Sequence, residues 1–194
     1  MHVIVNCAMS LDGRIEGKFS NDKDWKRVYE LRAECDAVMV GINTILKDNS
    51  GLTSHGVGKN PLIVVVDSKC RIPSDARVFE GNVVVGVCEG VKTDAVWNKA
   101  KVIACGKKQV DLKVLVEELA LMGVEKLMVE GGGMLIASML DLGLVDQVNV
   151  AVAPVILGRG IKLVEDELKL PVNLKLKDIL ELDEIVVLEY VVLK

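Results

Sequence analysis

Three consecutive glycines, Gly131, Gly132 and Gly133, stand between two apolar stretches of the sequence. The stretch before them, Lys126 to Glu130, has the pattern of a buried strand, and the stretch after them, Met134 to Leu142, that of an apolar helix. A turn without side chains at the carboxyl end of a strand lets a phosphate approach the backbone, where the next helix offers unpaired N–H groups. The same glycines are also compatible with tight packing of the helix on the strand.

A second predicted strand ends in a segment with two basic residues. The apolar run from Leu62 to Asp67 is followed at once by Ser68 and Lys69 and, two residues further on, by Arg71. Basic side chains in this position can pair with a 2′-phosphate, the group that distinguishes NADP from NAD. Asp67 by itself favours NAD instead, and a solvated surface turn is the alternative for the whole segment.

A third strand, from Ala37 to Val40, is followed by Gly41 and a short helical segment. Thr44 and Asp48 are four residues apart in that segment, so they share one helix face and could both contact a ligand that lies across the strand ends. In the alternative interpretation, Asp48 only helps to end the helix. Because three strand ends combine a turn with ligand-binding residue types, the sequence predicts a dinucleotide site.

Short β-branched runs alternate with amphipathic stretches along most of the chain, a pattern typical of a parallel sheet covered by helices on both faces. The predicted strands of this part are Val3–Cys7, Ala37–Val40, Leu62–Asp67, Asn82–Cys88, Lys101–Cys105 and Lys126–Glu130. The predicted helices are Asp24–Cys35, Thr93–Ala100, a helix capped by Asp111 and ended by Gly123, and Met134–Leu142.

The pattern changes after Gly143. The segments Gln147–Val152, Asn173–Lys177 and Glu184–Leu193 have strand patterns with no long helix between them, which predicts antiparallel pairing. The predicted fold class is therefore α/β, with one mixed sheet that is parallel in the centre, antiparallel at its C-terminal strands and covered by helices on both faces. We expect a single domain of residues 1–194.

Composition argues against several classes of function. A net charge of −4, without a basic block and with only two each of Trp, Tyr and Phe, disfavours a nucleic-acid partner. The longest apolar runs are far shorter than the ~20 residues that cross a bilayer, and no basic flank precedes the first, so we expect a cytoplasmic protein. Two histidines and five dispersed cysteines, without a Cys-x-x-Cys pair, predict reduced thiols and no metal site.

Short motifs follow one another along nearly the whole chain. They are Ser10-Leu-Asp-Gly-Arg14, Leu31-Arg-Ala33, Val40-Gly-x-x-Thr44 with Asp48, Leu52-Thr53, Asn60-Pro61 with Val65-Val-Asp-Ser68, Glu130-Gly-Gly-Gly133, and Leu144-Val-Asp146 with Ala153-Pro154 and Leu157-Gly158. In this order they resemble the riboflavin-biosynthesis reductases, a dihydrofolate-reductase-like family. Each motif is short, but the succession is specific for that family.

The resemblance implies reduction by NADPH, with hydride transfer to C1′ of a ring-opened ribosylaminopyrimidine phosphate and without a metal. The expected cofactor contacts, which include the basic pair noted above, are Ala8 through its backbone, Thr44, Asp48, Asp67, Ser68, Lys69, Arg71, Gly131, Gly132, Gly133 and Met134.

Substrate contacts are expected, by the same resemblance, from Arg32, Leu52, His55 and Glu130. Arg32 and His55 would pair with the substrate phosphate, and Glu130 would accept hydrogen bonds from the pyrimidine or the ribose. Glu130 is also the candidate catalytic residue, and whether it acts as an acid or only orients the substrate stays open. Asp12 is either a second proton relay or a turn residue.

Bacterial members of the family commonly carry a zinc deaminase before the reductase, whereas this sequence starts on the reductase's first strand. It resembles the stand-alone archaeal and fungal-type enzymes, which predicts the diamino substrate, 2,5-diamino-6-ribosylamino-4(3H)-pyrimidinone 5′-phosphate. The alternatives are a same-fold reductase of another heterocycle, such as the deaminated pyrimidine or dihydrofolate, or a non-catalytic nucleotide-binding module. The apolar helix Met134–Leu142 suggests burial against a partner subunit, so we expect a homodimer.

Overall fold

Within the part of the chain that the structure describes, the β-branched runs form one sheet of nine strands. The computed structural model of the protein describes residues 1–94, 96 and 98–194. The strands are β1 (His2–Ser10), β2 (Ala37–Gly41), β3 (Leu62–Val66), β4 (Val83–Val87), β5 (Lys101–Ala104), β6 (Lys126–Gly131), β7 (Gln147–Ala153), β8 (Leu174–Leu182) and β9 (Ile185–Val192).

The strands lie in the order β5-β4-β3-β2-β6-β1-β7-β9-β8. Every neighbouring pair from β5 to β7 is parallel, whereas β9 pairs with β7 and with β8 in the antiparallel sense. The predicted mixed sheet is therefore confirmed. Because β3, β2, β6 and β1 are parallel neighbours, their carboxyl ends meet at one edge of the sheet.

Helices pack on both faces of this sheet, as predicted. They are α1 (Asp22–Glu34), α2 (Ile42–Asp48), α3 (Leu112–Leu121) and α4 (Gly133–Asp141). Side chains alternate between the two faces along each strand. On β2, Ala37 and Met39 join the core beneath α3 and α4, and Val38 and Val40 join the core beneath α1 and α2. No helix within the described residues has both the length and the apolar character needed to cross a bilayer.

The ends of α1 and α3 follow their capping residues. Helix α1 begins at Asp22, before the predicted start, because the Asn21 side chain accepts a hydrogen bond from Asp24 N at 2.9 Å. Asp111 caps α3 as predicted, since its side chain accepts hydrogen bonds from the first backbone N–H groups of that helix. Gly123 lies just beyond α3 with a φ of +89°.

One predicted helix falls partly outside the described residues. The segment from Thr93 to Ala100 includes Ala95 and Trp97, which the structure does not describe. At its described positions the segment forms turns, in which Lys99 N donates to the carbonyl oxygen of Val96 at 2.9 Å.

Helix α4 is covered by its own chain. Leu135, Ile136, Ala137 and Met139 are buried and pack into the core on the α3 side of the sheet. The apolar character of this helix is therefore explained without a partner subunit, and any interface has to be sought elsewhere on the surface.

The first part of the long connection after β7, residues 154–165, is tied to the turn that follows β1. Leu11 N donates to the carbonyl oxygen of Val155 at 2.8 Å, and Ile15 N donates to that of Ile161 at 2.9 Å. This connection, called the 154–165 loop below, therefore stays fixed to the end of the first strand although it is exposed at most positions.

Asp12 is the anchor of the 154–165 loop. Its carboxylate accepts hydrogen bonds from Ser10 Oγ at 2.6 Å and from the backbone N–H groups of Leu157 at 3.0 Å and Gly158 at 2.7 Å. These hydrogen bonds, that of Ser10 first, hold the pKa of Asp12 well below its usual range. Of the two interpretations of Asp12, its surroundings favour the turn residue.

We expect Asp12→Asn to lower the free energy of unfolding at pH 7, because an amide offers one acceptor oxygen where the carboxylate uses two. The folded pKa of Asp12 lies below its unfolded value of about 3.9, so its contribution is complete above that pH and is lost as the pH falls further. Urea unfolding of variant and wild type should therefore differ less near pH 3 than at pH 7. An equal difference at both pH values would contradict this role.

Candidate active site

A cleft of about 1660 Å³ opens where β1, β2, β3 and β6 end. Most of the predicted site residues line it, namely Ala8, Arg32, Thr44, Asp48, Leu52, Ser68, Lys69, Arg71, Glu130, Gly132, Gly133 and Met134. Asp67, Gly131 and His55 lie outside its lining. The structure thus brings together residues from five separate segments of the chain.

Each of the three glycines after Glu130 has its own structural reason. Gly131 has a φ of +114°, a conformation that L side chains rarely adopt. A Cβ at Gly133 would lie 2.3 Å from the carbonyl oxygen of Lys162, so this glycine lets α4 pack against the 154–165 loop. A Cβ at Gly132 would meet no described atom within 4 Å, and Gly132 lines the cleft. Close packing therefore explains Gly133, and Gly132 leaves the backbone open to a ligand.

A β-bulge aims Glu130 toward α1. In the pairing of β2 with β6, Met39 faces Val129 and Val40 faces Gly131, so Glu130 is the extra residue on β6. Val129 belongs to the core beneath α3 and α4. Because side chains alternate along a strand, Glu130 faces the opposite side, where α1 lies.

Arg32 of α1 holds Glu130 in a bidentate ion pair. Arg32 Nε donates to Oε1 at 2.6 Å and Nη2 donates to Oε2 at 2.7 Å, while Nη1 donates to the carbonyl oxygen of Thr53 at 3.0 Å. The two side chains are only 4% and 13% exposed. Burial lowers the pKa of Arg32, but the charge and hydrogen bonds of Glu130 outweigh burial and raise that pKa above its usual value. Arg32 therefore fixes Glu130 instead of presenting a free cation.

The turn after β3 presents two basic side chains to the cleft. Asp67 is fully buried and accepts a hydrogen bond from Ile72 N at 2.9 Å, which closes the turn. Lys69 and Arg71 are exposed and line the cleft, and Arg71 Nε lies 3.5 Å from Asp67 Oδ1. Asp67 thus stabilises the turn from the buried side, and Lys69 and Arg71 face the cleft.

Helix α2 brings Thr44 and Asp48 to the same cleft as Ser68. Asn49 ends this helix with a φ of 42° and donates its N–H to the carbonyl oxygen of Ile45 at 2.9 Å. Asn49 therefore ends helix α2, and the exposed Asp48 carboxylate is not needed to end it.

Leu52 and His55 belong to one segment but lie in different surroundings. Leu52 is buried and lines the cleft. His55 is exposed, and its ring stacks on Tyr29 with ring centroids 4.3 Å apart. The structure therefore places Leu52, but not His55, among the lining residues with Glu130.

The α1 side of the cleft also carries a polar group that we did not predict from the sequence. It consists of Asn6, Asp24 and Arg27, all of which line the cleft. Arg27 Nε donates to Asp24 Oδ1 at 2.9 Å, and Nη1 donates to Asn6 Oδ1 at 2.8 Å. Two signals point to this group: Asn6 interrupts the apolar run of β1, and Asp24 and Arg27 are spaced to share one face of α1.

Cys7 is a nucleophilic residue type that also lines the cleft. Burial raises the pKa of its thiol to about 12, so the thiol stays protonated near neutral pH. A thiolate is the reactive form of cysteine, and Cys7 is therefore an inert wall residue.

The sequence pattern of the family described as RibD C-terminal domain matches residues 1–188. The chain belongs to this family. The resemblance inferred from the short motifs is thereby confirmed.

Two archaeal relatives of this RibD C-terminal domain match most of its length. The 2,5-diamino-6-ribosylamino-4(3H)-pyrimidinone 5′-phosphate reductase of Methanothermobacter thermautotrophicus is 44% identical, over 98% of the chain and 98% of its own length. The protein of the same name from Archaeoglobus fulgidus is 40% identical, over 81% of the chain and 82% of its own length.

A solved structure of a longer protein shares the fold of this RibD C-terminal domain. It is the diaminohydroxyphosphoribosylaminopyrimidine deaminase/5-amino-6-(5-phosphoribosylamino)uracil reductase of Thermotoga maritima, with a TM-score of 0.86 and 25% identity over 99% of the chain. The chain spans 56% of that protein. The likeness confirms the predicted dihydrofolate-reductase-like mixed sheet.

Gly133→Ala should lower the free energy of unfolding by roughly 1 to 3 kcal/mol, because the new Cβ would overlap the backbone of the 154–165 loop. Gly132→Ala is the matched control, and its Cβ would enter open space, so we expect a change within about 0.5 kcal/mol. Urea unfolding of both variants measures the difference. Equal destabilisation would mean that both glycines serve packing.

Proposed function

We propose that this protein reduces 2,5-diamino-6-ribosylamino-4(3H)-pyrimidinone 5′-phosphate to its ribitylamino product, with a nicotinamide cofactor, as a step of riboflavin biosynthesis. The proposal rests mainly on one observation: a glycine turn open to a ligand and a carboxylate fixed by an arginine border the same cleft. The two archaeal relatives carry the name of this reductase, which supports the same assignment.

The part of the cleft formed by β2, β3 and α4 fits a nicotinamide dinucleotide. Gly132 leaves the backbone accessible beside the start of α4, and Lys69 and Arg71 supply positive charge. When bound, NADPH supplies the hydride. We assign its contacts to Ala8 through the backbone, Thr44, Asp48, Ser68, Lys69, Arg71, Gly132, Gly133 and Met134, and we assign Asp67 and Gly131 to shaping the two turns.

The part of the cleft formed by β1, α1 and Glu130 is the proposed substrate site. In the reaction, the bond between C1′ and the ring oxygen of the ribose breaks, C1′ gains the hydride, and the released oxygen gains a proton. Glu130 accepts hydrogen bonds from the ribosylamine and so orients C1′. Arg32 keeps the Glu130 carboxylate in place, and Leu52 supplies an apolar wall.

The motifs led us to expect that Arg32 and His55 pair with the substrate phosphate, but we assign these two residues differently. All three guanidinium nitrogens of Arg32 already donate within the protein, so we assign Arg32 to positioning Glu130. His55 is not among the lining residues of the cleft and stacks on Tyr29, so we expect it to contact only a part of the substrate that extends beyond the cleft.

NADPH oxidation, followed by absorbance with the diamino substrate, tests the function. We expect turnover by the wild type and a loss of about 100-fold or more in kcat/KM for Glu130→Gln, because the amide weakens both the Arg32 pair and the hydrogen bonds to substrate. Glu34→Gln is the matched control, since Glu34 pairs with Lys126 on the surface away from the cleft. It should keep wild-type activity.

Two other results would replace the proposal. Binding of NADPH without consumption of it by any pyrimidine would favour a non-catalytic nucleotide-binding module. Reduction of dihydrofolate, or of the deaminated pyrimidine alone, would favour a same-fold reductase of another heterocycle.

The preference for NADPH over NADH has its own test. Replacing both Lys69 and Arg71 with Ala should weaken NADPH binding by roughly 1 to 3 kcal/mol and leave NADH nearly unchanged, because only NADPH carries the 2′-phosphate. Calorimetry with both cofactors measures this, with the exposed pair Lys59 and Lys113 replaced by Ala as the control. An equal loss of affinity for both cofactors would show that Lys69 and Arg71 do not bind the 2′-phosphate.

We also propose that the protein is a homodimer and acts in the cytoplasm, where the biosynthetic role of its relatives would place it.

An apolar surface supports the dimer. Helices α3 and α4 cover one face of the sheet as far as β7. Beyond β7, the antiparallel strands β9 and β8 leave an uncovered apolar patch on that face, which we call the terminal sheet face. It consists of Leu174, Leu176, Ile179, Val186, Leu188 and Tyr190. An exposed edge strand with apolar side chains favours association with another chain.

Leu176→Lys combined with Ile179→Lys should convert the dimer into a monomer, because these side chains are 48% and 51% exposed on the terminal sheet face. Leu121→Lys is the control, since Leu121 is 82% exposed on α3, away from that face. Light scattering at micromolar concentration measures the mass. A wild-type monomer, or a dimer that survives both lysines, would reject this interface.

A further inference from the structure

Two buried polar atoms at the α1 end of the cleft have no hydrogen-bond partner among the described residues. Asp24 is 0% exposed and lines the cleft, and its Oδ2 accepts no hydrogen bond from the described residues. Arg27 Nη2 forms an ion pair with Asp24 Oδ1 at 2.7 Å but has no hydrogen-bond partner within the described chain. Buried polar atoms of this kind are normally paired, so a ligand that supplies both partners would be favoured.

The remaining atoms of the pair are firmly held. Arg27 Nε donates to Asp24 Oδ1 at 2.9 Å, and Arg27 Nη1 donates to Asn6 Oδ1 at 2.8 Å. Asn21 accepts a hydrogen bond from Asp24 N at 2.9 Å, which fixes the start of α1. Asp24 Oδ2 and Arg27 Nη2 are therefore pre-organised by strand β1 and by helix α1 with its Asn21 cap, and ordering them on binding carries little entropic cost.

The proposed substrate has an edge with the complementary pattern. On the pyrimidinone ring, the 2-amino group and N3–H are donors, and the adjacent 4-carbonyl is an acceptor. Deamination exchanges the 2-amino donor for a carbonyl acceptor and leaves the 4-carbonyl unchanged. A carboxylate oxygen can accept from the amino group but meets a carbonyl oxygen with repulsion.

We infer that Asp24 is the specificity-determining residue of the substrate site, and that it recognises the amino group at C2 of the pyrimidinone. Its Oδ2 accepts from the 2-amino group and N3–H, and Arg27 Nη2 donates to the 4-carbonyl. This inference rests on the proposed function and deepens it, because it explains how one fold selects the diamino form over the deaminated form. Sites that hydrogen-bond a substrate group through buried atoms can reject an analogue without it by about 10⁴-fold.

The test is kcat/KM for both pyrimidines in the wild type and in Asp24→Asn. The asparagine amide can turn its NH₂ toward a carbonyl at C2, so the ratio of the diamino to the deaminated substrate should fall by about 100-fold or more. Asp22→Asn is the matched control, because Asp22 lies in the same helical turn but is exposed. It should leave both values unchanged.

A second variant separates recognition from folding. Arg27→Lys keeps the positive charge but removes Nη2, and since both pyrimidines carry the 4-carbonyl, both kcat/KM values should fall by a similar factor. Calorimetric binding of the diamino substrate without NADPH should weaken in both variants, which circular dichroism must show to be folded.

Each outcome has a distinct meaning. If Asp24→Asn lowers both kcat/KM values equally, Asp24 has only a structural role and the inference is overturned. If the wild type reduces both pyrimidines equally well, the inference fails while the reductase assignment stands. If the wild type reduces neither, the proposed function itself fails.

Discussion

The bidentate ion pair between Arg32 and Glu130 is the contact on which the cleft depends. It joins the last turn of α1 to the bulged end of β6, and the third nitrogen of Arg32 ties in the backbone at Thr53. Removing one partner would leave the other charge buried, which typically costs roughly 3 to 5 kcal/mol. One guanidinium therefore sets the relative positions of a helix, a strand and a loop, and with them the wall of the proposed substrate site.

The glycine turn depends on the same strand end. The bulge turns the Glu130 side chain to the α1 face, and the next three residues carry no side chains, with Gly131 ending β6 and Gly132 and Gly133 leaving the sheet. Gly132 stays accessible, whereas Gly133 is pressed against the 154–165 loop. The fixed carboxylate and the open backbone are thus only two residues apart in sequence, and both line the cleft.

Much of this arrangement could be predicted from the sequence, because the signals are local. β-Branched runs predict the strands, Asp111 predicts a helix start, and parallel strands place residues such as Thr44 and Lys69 at one edge. The pairing of Arg32 with Glu130 could not be predicted, since the two are far apart in sequence and each has several possible partners. The motifs placed both in the substrate site without showing that they bind each other. The apolar pattern of α4 suggested a subunit interface, but a pattern alone does not distinguish such a face from one covered by its own chain, as this helix is.

The 154–165 loop joins the turn after β1 to the start of α4, beyond the carboxyl ends of the paired strands β1 and β6. It is held by Asp12 at the turn after β1 and touches Gly133 at the start of α4, yet it is exposed at most positions. A single cut by a protease in this loop would leave the nine described strands in place and still release the glycine turn from its support. The integrity of the fold and the integrity of the cleft are therefore separable, and a nicked chain could remain folded while its ligand site is lost.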